Sequence, residues 1–127
     1  MERDMDLVRK ILFFVAEAKD GEYVSCDDEC FSEYDRNLVG YHMKIMDEAG
    51  LVVSNILPAD NDPYCFAEVI RLTWDGNDFL DSIRSETVWS KVNKAISSTV
   101  GTASLNVIKA ITSQIALNLV GPAIAGL

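Results

Sequence analysis

Residues 41–52, YHMKIMDEAGLV, give the clearest indication of the fold. In and just before it, apolar residues recur at helical spacing, at Val39, Met43, Met46 and Ala49. Asp35 is a suitable N-cap for such a helix, and Gly50 supplies the left-handed residue that often follows a helix end. The pattern therefore predicts a helix from about Asp35 to Ala49 that has one apolar face and leads at once into an extended segment.

A β-hairpin is predicted directly after this helix. LVVSNI at residues 51–56 has the composition of a strand, and a second strand is predicted over residues 64–72, with Phe66 and Leu72 among its apolar side chains. Between them, PADNDP at residues 58–63 is rich in turn-forming residues and predicts a polar loop. Two strands joined by a short polar loop form a hairpin.

The segment before the central helix predicts a first helix and two shorter elements. Asp4 or Asp6 can cap the first helix, which is expected to end at residues 20–21, an Asp-Gly pair. A short extended piece is expected over residues 22–25, and a short helix or turn over residues 26–32. The sequence therefore places one helix and one small extended element ahead of the central helix and hairpin.

Three further helices are predicted after the hairpin. Thr73 can cap the first of them, whose expected buried side is made of Trp74, Phe79, Leu80 and Ile83. The next begins at Ser85 or Glu86, with Val88, Trp89, Val92 and Ile96 as its apolar residues. Small residues at 97–102 predict a linker, and the last helix begins near Ser104 and meets a Gly-Pro break at residues 121–122.

The order helix, short element, helix, hairpin, helix is that of a winged helix–turn–helix. Residues 41–52 resemble the recognition helix and first wing strand of bacterial winged-helix proteins, with Met43 and Met46 in place of two leucines. RLTWDG at residues 71–76 resembles the Leu-Thr-x-x-Gly that follows the wing in the same group. This resemblance implies an α+β fold, a winged helix–turn–helix with a C-terminal helical extension. We accordingly predict a winged-helix domain over residues 1–84 and a helical extension over residues 85–127.

The whole chain also resembles a small family of phage- and prophage-encoded proteins classed as a domain of unknown function. The segments that carry this resemblance are residues 3–7 (RDMDL), 72–76 (LTWDG), 79–84 (FLDSIR), 87–92 (TVWSKV) and 103–105 (ASL). The resemblance implies a phage or prophage setting. It implies no activity, because none defines that family.

The charge of the chain is strongly acidic and unevenly distributed. Its 127 residues suit one domain, and the net charge of −9 is made of −7 in residues 1–50, −5 in residues 51–86 and +3 in residues 87–127. General affinity for nucleic acid depends on basic residues that displace counterions from phosphates. The composition therefore disfavours a general phosphate-binding protein, and its 49% hydrophobic and 24% charged residues exclude a wholly disordered chain.

The predicted recognition helix and wing are the surface expected to meet a partner. The residues expected to face a protein or DNA are Arg36, Asn37, Tyr41, Lys44, Glu48, Asp60 and Asp62, with Gly40 on the same exposed face. Between residues 25 and 50, two basic residues stand against seven acidic ones. Two phosphate contacts would give a slope of log K on log salt of only about −2. A protein partner is therefore favoured, and DNA is the alternative.

The sequence offers little support for catalysis or metal binding. His42 is the single histidine and lies beside the Met43–Met46 stripe, where a packing or capping role is expected. Cys26 and Cys30, with Cys65 and His42, would supply four soft ligands, but Cys-x₃-Cys departs from the usual Cys-x₂-Cys spacing. Reduced, partly buried cysteines are the simpler interpretation. We predict no catalytic residue, no metal site and no cofactor, and therefore not an enzyme.

The C-terminal helix carries more apolar surface than one face can hide. Its main stripe, expected to serve packing or oligomerisation, is Leu105, Ile108, Ile111, Ile115 and Leu119, and Val107, Ala110 and Leu117 lie on another side. Such a helix packs on its own domain, pairs with a second copy as a homodimer, or lies on a membrane. Polar residues and the Gly-Pro break within the charge-free residues 110–127 make a membrane role the least favoured of these.

Three cysteines, an odd number, and an opening segment without the pattern of a secretory signal favour a cytoplasmic location. The favoured function is a non-catalytic, acidic winged-helix module that binds a protein in a phage or prophage setting. A host nucleic-acid enzyme, whose DNA groove the acidic surface would occupy, is one such partner. The alternative is a dimeric winged-helix transcriptional regulator, in which Arg36, Asn37, Tyr41 and Lys44 contact DNA.

Overall fold

The computed structural model of the chain describes the backbone of residues 1–99 and 104–125, and the side chains of residues 1–96, 104–115 and 117. Over this part of the chain the fold is α+β, with five α helices, one 3₁₀ helix and three strands. The elements are, in order, α1 (Met5–Glu17), β1 (Val24–Ser25), the 3₁₀ helix (Glu29–Phe31), α2 (Arg36–Glu48), β2 (Val52–Ala59), β3 (Asp62–Leu72), α3 (Trp74–Ile83), α4 (Glu86–Thr99) and α5 (Leu105–Ala125).

Side-chain caps fix where the first two long helices begin. Asp4 is the N-cap of α1, and its Oδ1 accepts hydrogen bonds from the backbone N–H groups of Asp6 at 3.0 Å and Leu7 at 3.2 Å. Asp35 caps α2 through the N–H of Asn37. Gly50, at φ 77°, follows the end of α2 in the left-handed region. The predicted bounds of α2 are thus confirmed, and of the two predicted caps of α1 the structure uses Asp4.

The three strands form an antiparallel sheet in the order β1-β3-β2. The predicted hairpin is confirmed, but the predicted loop at residues 58–63 is wrong. Ala59 pairs with Asp62, so only Asp60 and Asn61 lie in the turn. Asn61 has φ 59°, a left-handed conformation that asparagine tolerates better than most residues. A two-residue turn therefore closes the hairpin, and the strands extend almost to its tip.

The chain divides into two compact units, Met1–Asp78 and Phe79–Leu127. The first unit has a core of side chains from α1, the 3₁₀ helix, α2 and the sheet: Leu7, Ile11, Leu12, Phe31, Val39, Met43, Met46 and Val69. The boundary falls inside α3, before the residue 84 boundary predicted from the sequence. The assignment of residues 1–84 as a winged-helix domain stays a prediction.

Helix α3 is anchored on the turn that joins α2 to β2. The predicted cap is confirmed, since Thr73 Oγ1 accepts the N–H of Gly76 at 2.9 Å and donates to the carbonyl of Gly50 at 2.5 Å. A Cβ atom on Gly76 would lie 1.9 Å from the carbonyl oxygen of Leu51. Because Gly76 occupies the inward face, Trp74 points away from it and is 82% exposed. The prediction that Trp74 is buried with Phe79, Leu80 and Ile83 is therefore wrong for Trp74 alone.

In the second unit α4 packs against α5. Ser85 Oγ accepts the N–H of Val88, and the predicted apolar residues of α4 are buried: Val88, Trp89, Val92 and Ile96. The predicted linker at residues 97–102 is wrong in its first half, because α4 continues to Thr99, as small residues can in a last turn. Its remainder, residues 100–102, lies outside the described residues.

Helix α5 runs from Leu105 to Ala125 and passes through the predicted break at residues 121–122. A proline inside a helix removes one backbone hydrogen bond, which weakens the helix but does not have to end it. Of the predicted apolar stripe, Ile108 is buried and Leu105, Ile111 and Ile115 are half-buried, while the Leu119 side chain lies outside the described residues. Its oligomerisation role stays a prediction. None of the described helices is both long enough and apolar enough to span a membrane.

Candidate interaction face of α2 and the hairpin

The residues predicted to face a partner fall into three groups. Lys44, Glu48 and Asp60 are exposed, Asn37 and Tyr41 are half-buried, and Arg36 and Asp62 bind each other. Gly40, predicted to be exposed, is buried instead. A Cβ atom there would lie 2.7 Å from Cγ of Tyr64, because the Tyr64 ring packs directly on the helix backbone. The predicted surface is therefore divided by a contact between α2 and β3.

Arg36 is held in place by groups from two other segments of the chain. Its Nε donates to Asp27 Oδ1 at 2.5 Å, and its Nη1 lies 3.4 Å from Asp62 Oδ1. Its Nη2 donates to the backbone carbonyls of Tyr64 at 2.7 Å and Cys65 at 2.9 Å. The hydrogen bond to Asp27 is the main cause that raises the pKa of Arg36. The guanidinium thus ties the segment after β1 and the start of β3 to the first turn of α2.

The tip of the hairpin adds acidic charge and no cation. Asp60 is exposed in the turn, and Asp62 accepts the N–H of Tyr64 at 3.2 Å as well as the Arg36 guanidinium. Because the charge of Arg36 is already neutralised by Asp27 and Asp62, Lys44 is the remaining cationic side chain of α2. The face therefore has little capacity to neutralise a run of phosphates.

His42 is fully buried between α1 and α2, and both of its ring nitrogens are hydrogen-bonded. Nε2 accepts the backbone N–H of Asp4 at 2.8 Å, which leaves Nδ1–H to donate to the carbonyl of Leu38 at 2.8 Å. Burial is the main cause that lowers the pKa of His42, against smaller opposing effects of Leu38 and Asp4. This geometry is that of a neutral packing histidine that fixes the start of α1 to α2.

The three cysteines lie at different depths. Cys26 is buried, Cys30 is half-buried and Cys65 is exposed, and all three are free thiols. Burial is the main cause that raises the pKa of both Cys26 and Cys30, which keeps them protonated. Across residues 1–99 and 104–125, no three His, Cys, Asp or Glu side chains are grouped so that they could hold a metal ion.

The free edge of β2 is obstructed at two points that the sequence did not identify. Asp47 Oδ2 accepts both the backbone N–H of Ser54 at 2.8 Å and its hydroxyl at 2.7 Å. Pro58, further along the same strand, has no N–H to donate. A partner strand that paired with this edge would have to displace Asp47 from the Ser54 N–H, and it would find no backbone donor at Pro58. Strand addition along the free edge of β2 is therefore disfavoured at these two points.

Two exposed apolar features were also missed. Leu57 and Phe66 are direct cross-strand partners on the hairpin and are 55% and 43% exposed. Trp74 at the start of α3 is still more exposed. Of the three, only Trp74 is predicted from the sequence to be buried; the strand register places Leu57 and Phe66, and the inward position of Gly76 places Trp74, on the outside.

Comparison with known proteins places the chain in a family. The sequence profile of a family described as "Hypothetical protein (DUF2513)" matches residues 2–103. The chain belongs to DUF2513. The match covers the first unit and α4 and ends before α5. The expectation of a family of unknown function is thereby confirmed.

One relative of this DUF2513 protein comes from Haemophilus influenzae and is described as an uncharacterized protein. It is 33% identical over 115 residues, which cover 91% of this chain and 95% of the relative. No solved structure matches the chain.

Proposed function

We propose that this DUF2513 protein is a non-catalytic winged-helix module that binds a protein partner in a phage or prophage setting. The preference for a protein over DNA as the partner rests on the contacts that Arg36 makes within the protein. A residue that would have to grip DNA is engaged by Asp27, Asp62 and two backbone carbonyls. The phage or prophage setting rests on the sequence resemblance.

The winged-helix part of the proposal is supported by the order and pairing of the elements. A long helix, a short strand, a one-turn helix, a second long helix and a hairpin follow one another, and the short strand pairs with the second strand of the hairpin. In this arrangement α2 is the recognition helix and β2–β3 is the wing. The helix that normally precedes the recognition helix is reduced to the 3₁₀ turn Glu29–Phe31.

Charge supports a protein over DNA as the partner. The first 86 residues carry a net charge of −12, and the exposed carboxylates include Glu48 on α2 and Asp60 on the wing tip. A duplex would meet repulsion here, whereas a basic protein surface would be attracted and oriented. The DNA-binding groove of a host nucleic-acid enzyme is one surface of that kind.

The test compares DNA binding with contact to a protein on the same face. Binding to fluorescently labelled duplex, including the DNA upstream of the gene, is measured by anisotropy at several salt concentrations. We expect weak binding with a slope of log K on log salt no steeper than about −2. A slope steeper than about −4, which needs four or more phosphate contacts, would establish the DNA-binding regulator instead.

The protein arm of the test uses a photo-crosslinking amino acid at Tyr41, on the half-buried face of α2, and a matched control at Glu17, which is exposed on α1. Crosslinking is carried out in cells that carry the phage or prophage. We expect one protein to be captured from position 41 and not from position 17. Equal capture from both positions, or none from position 41, would contradict the proposal.

A further inference from the structure

The indole of Trp74 is the most exposed large apolar side chain in the part of the chain that the structure describes. It is 82% exposed, whereas the other tryptophan, Trp89, is 4% exposed. Among the described residues, Trp74 takes part in neither ring stacking nor a cation–π contact. Tryptophan is enriched among the residues that dominate binding energy at protein interfaces.

The backbone beneath Trp74 is fixed from both sides. Thr73 donates its N–H to the carbonyl of Leu51 at 3.0 Å, and its hydroxyl bridges Gly50 and Gly76. Gly76 sits so close to the Leu51 carbonyl that α3 cannot turn about its axis to bring Trp74 inward. The start of α3 therefore holds the ring in solvent on a rigid backbone, so the helix loses little conformational freedom when a partner binds.

The charge beside the ring is negative. Asp78 follows Trp74 by one helical turn, on the same face of α3, and Asp75 is adjacent in sequence; both are exposed. The nearest cation along the chain, Arg71, donates from Nη1 to the carbonyl of Leu72 at 3.2 Å. An aromatic face next to a carboxylate suits a cation that lies over the ring and donates to the carboxylate.

We propose that Trp74 and Asp78 bind an arginine side chain presented by the protein partner, a step that rests on the proposed function. The guanidinium stacks on the indole and donates its edge N–H groups to the Asp78 carboxylate. Arginine fits better than lysine because its planar guanidinium is weakly hydrated, stacks on an aromatic ring and donates two parallel hydrogen bonds to a carboxylate. A nucleic-acid base could stack on the ring, but its phosphates would meet Asp75 and Asp78.

The test titrates the full chain with three octapeptides that alternate glycine with arginine, with lysine or with the neutral arginine analogue citrulline. Dissociation constants are measured by calorimetry at low ionic strength, and indole emission is followed in parallel. We expect the arginine peptide to bind at least about threefold more tightly than the lysine peptide, and the citrulline peptide not to bind. Trp74→Ala should weaken arginine-peptide binding about threefold to thirtyfold, and Trp74→Phe less.

Asp78→Asn should weaken the same binding about twofold to fivefold. The matched controls are Tyr23→Ala, which removes an exposed aromatic ring elsewhere, and Asp60→Asn, which removes an exposed carboxylate elsewhere. Both should change the dissociation constant less than about twofold. Far-ultraviolet circular dichroism checks that each variant is folded.

Several results would overturn the inference. Equal binding of arginine and lysine peptides, or binding that Trp74→Ala leaves unchanged, would mean that only the overall negative charge attracts them. A shift in Trp74 emission that depends on protein concentration alone would make a second copy the occupant. In each case the crosslinked partner from position 41 would still support the proposed function. Tight binding of oligothymidylate through Trp74 would overturn both.

Discussion

Helices α2 and α3 each turn a glycine toward a neighbour in the first unit, but the neighbours differ in how far they can yield. On α2, Gly40 faces the side chain of Tyr64; on α3, Gly76 faces the backbone carbonyl of Leu51. A ring can shift within its rotamer, whereas the carbonyl is fixed by the hydrogen bond that it accepts from Thr73. At these two glycines, therefore, α3 meets rigid backbone and α2 meets a side chain that can move.

The largest effect is expected from Gly76→Ala, because its Cβ would lie 1.9 Å from the Leu51 oxygen. We expect a loss of about 3 kcal/mol or more in the free energy of unfolding, measured by urea denaturation. Gly21→Ala is the matched control, since Gly21 has φ 85° and open space around it. That control should cost only about 1 kcal/mol, from backbone strain alone. Equal losses in the two variants would contradict the proposed backbone contact.

A smaller loss is expected from Gly40→Ala, about 1–3 kcal/mol, because the new methyl group displaces a ring rather than a carbonyl. The contact with Tyr64 is tested by a double-mutant cycle with Tyr64→Ala. In the Tyr64→Ala background, the alanine at position 40 should cost much less, since the atoms that it meets are gone. Additive losses would show that Tyr64 is not what the methyl group meets.

These two glycines also mark how far the sequence can predict the fold. The apolar spacing and the caps predicted α2, the hairpin and the start of α3, because those signals are local. Gly40 and Trp74 were misplaced because helical spacing does not show which face meets a neighbour when that neighbour lies far along the chain. The two-residue turn at Asp60 and Asn61 was missed because flanking prolines favoured a longer loop.

At the candidate site, the sequence correctly singled out Arg36 and Lys44 as the basic residues of α2, but it gave no sign that their situations differ. The partners of Arg36, Asp27 and the carbonyls of Tyr64 and Cys65, come from segments that only the folded chain brings together. Long-range hydrogen bonds of this kind have no periodic signature. A count of charged residues alone therefore overstates the positive charge that is available to bind a ligand.

Arg36 and Lys44 extend the comparison to side-chain contacts within α2. We expect Arg36→Ala to lower the free energy of unfolding by about 1–2 kcal/mol, mainly through the unpaired carbonyls, since partial exposure weakens the ion pairs. Lys44→Ala, on the exposed face of the same helix, should change it by less than about 0.5 kcal/mol. Urea denaturation at low and high salt checks both. Similar small losses would mean that Arg36 is free to bind a ligand.

The smallest effect near neutral pH concerns His42, which joins α2 to the start of α1. Its folded pKa is lowered by burial, so on acidification the unfolded chain takes up this proton first. The stability that neutral His42 provides is thus complete above its ordinary pKa of about 6.5 and is lost as the pH falls below that value. Protonation would also place an N–H on Nε2 against the Asp4 N–H that it now accepts. Urea denaturation between about pH 7 and 5 should show a steeper fall for the wild type than for His42→Gln, which does not titrate in this range. The carboxylates titrate in both proteins and cancel in the difference, so parallel curves would contradict a neutral, doubly hydrogen-bonded His42.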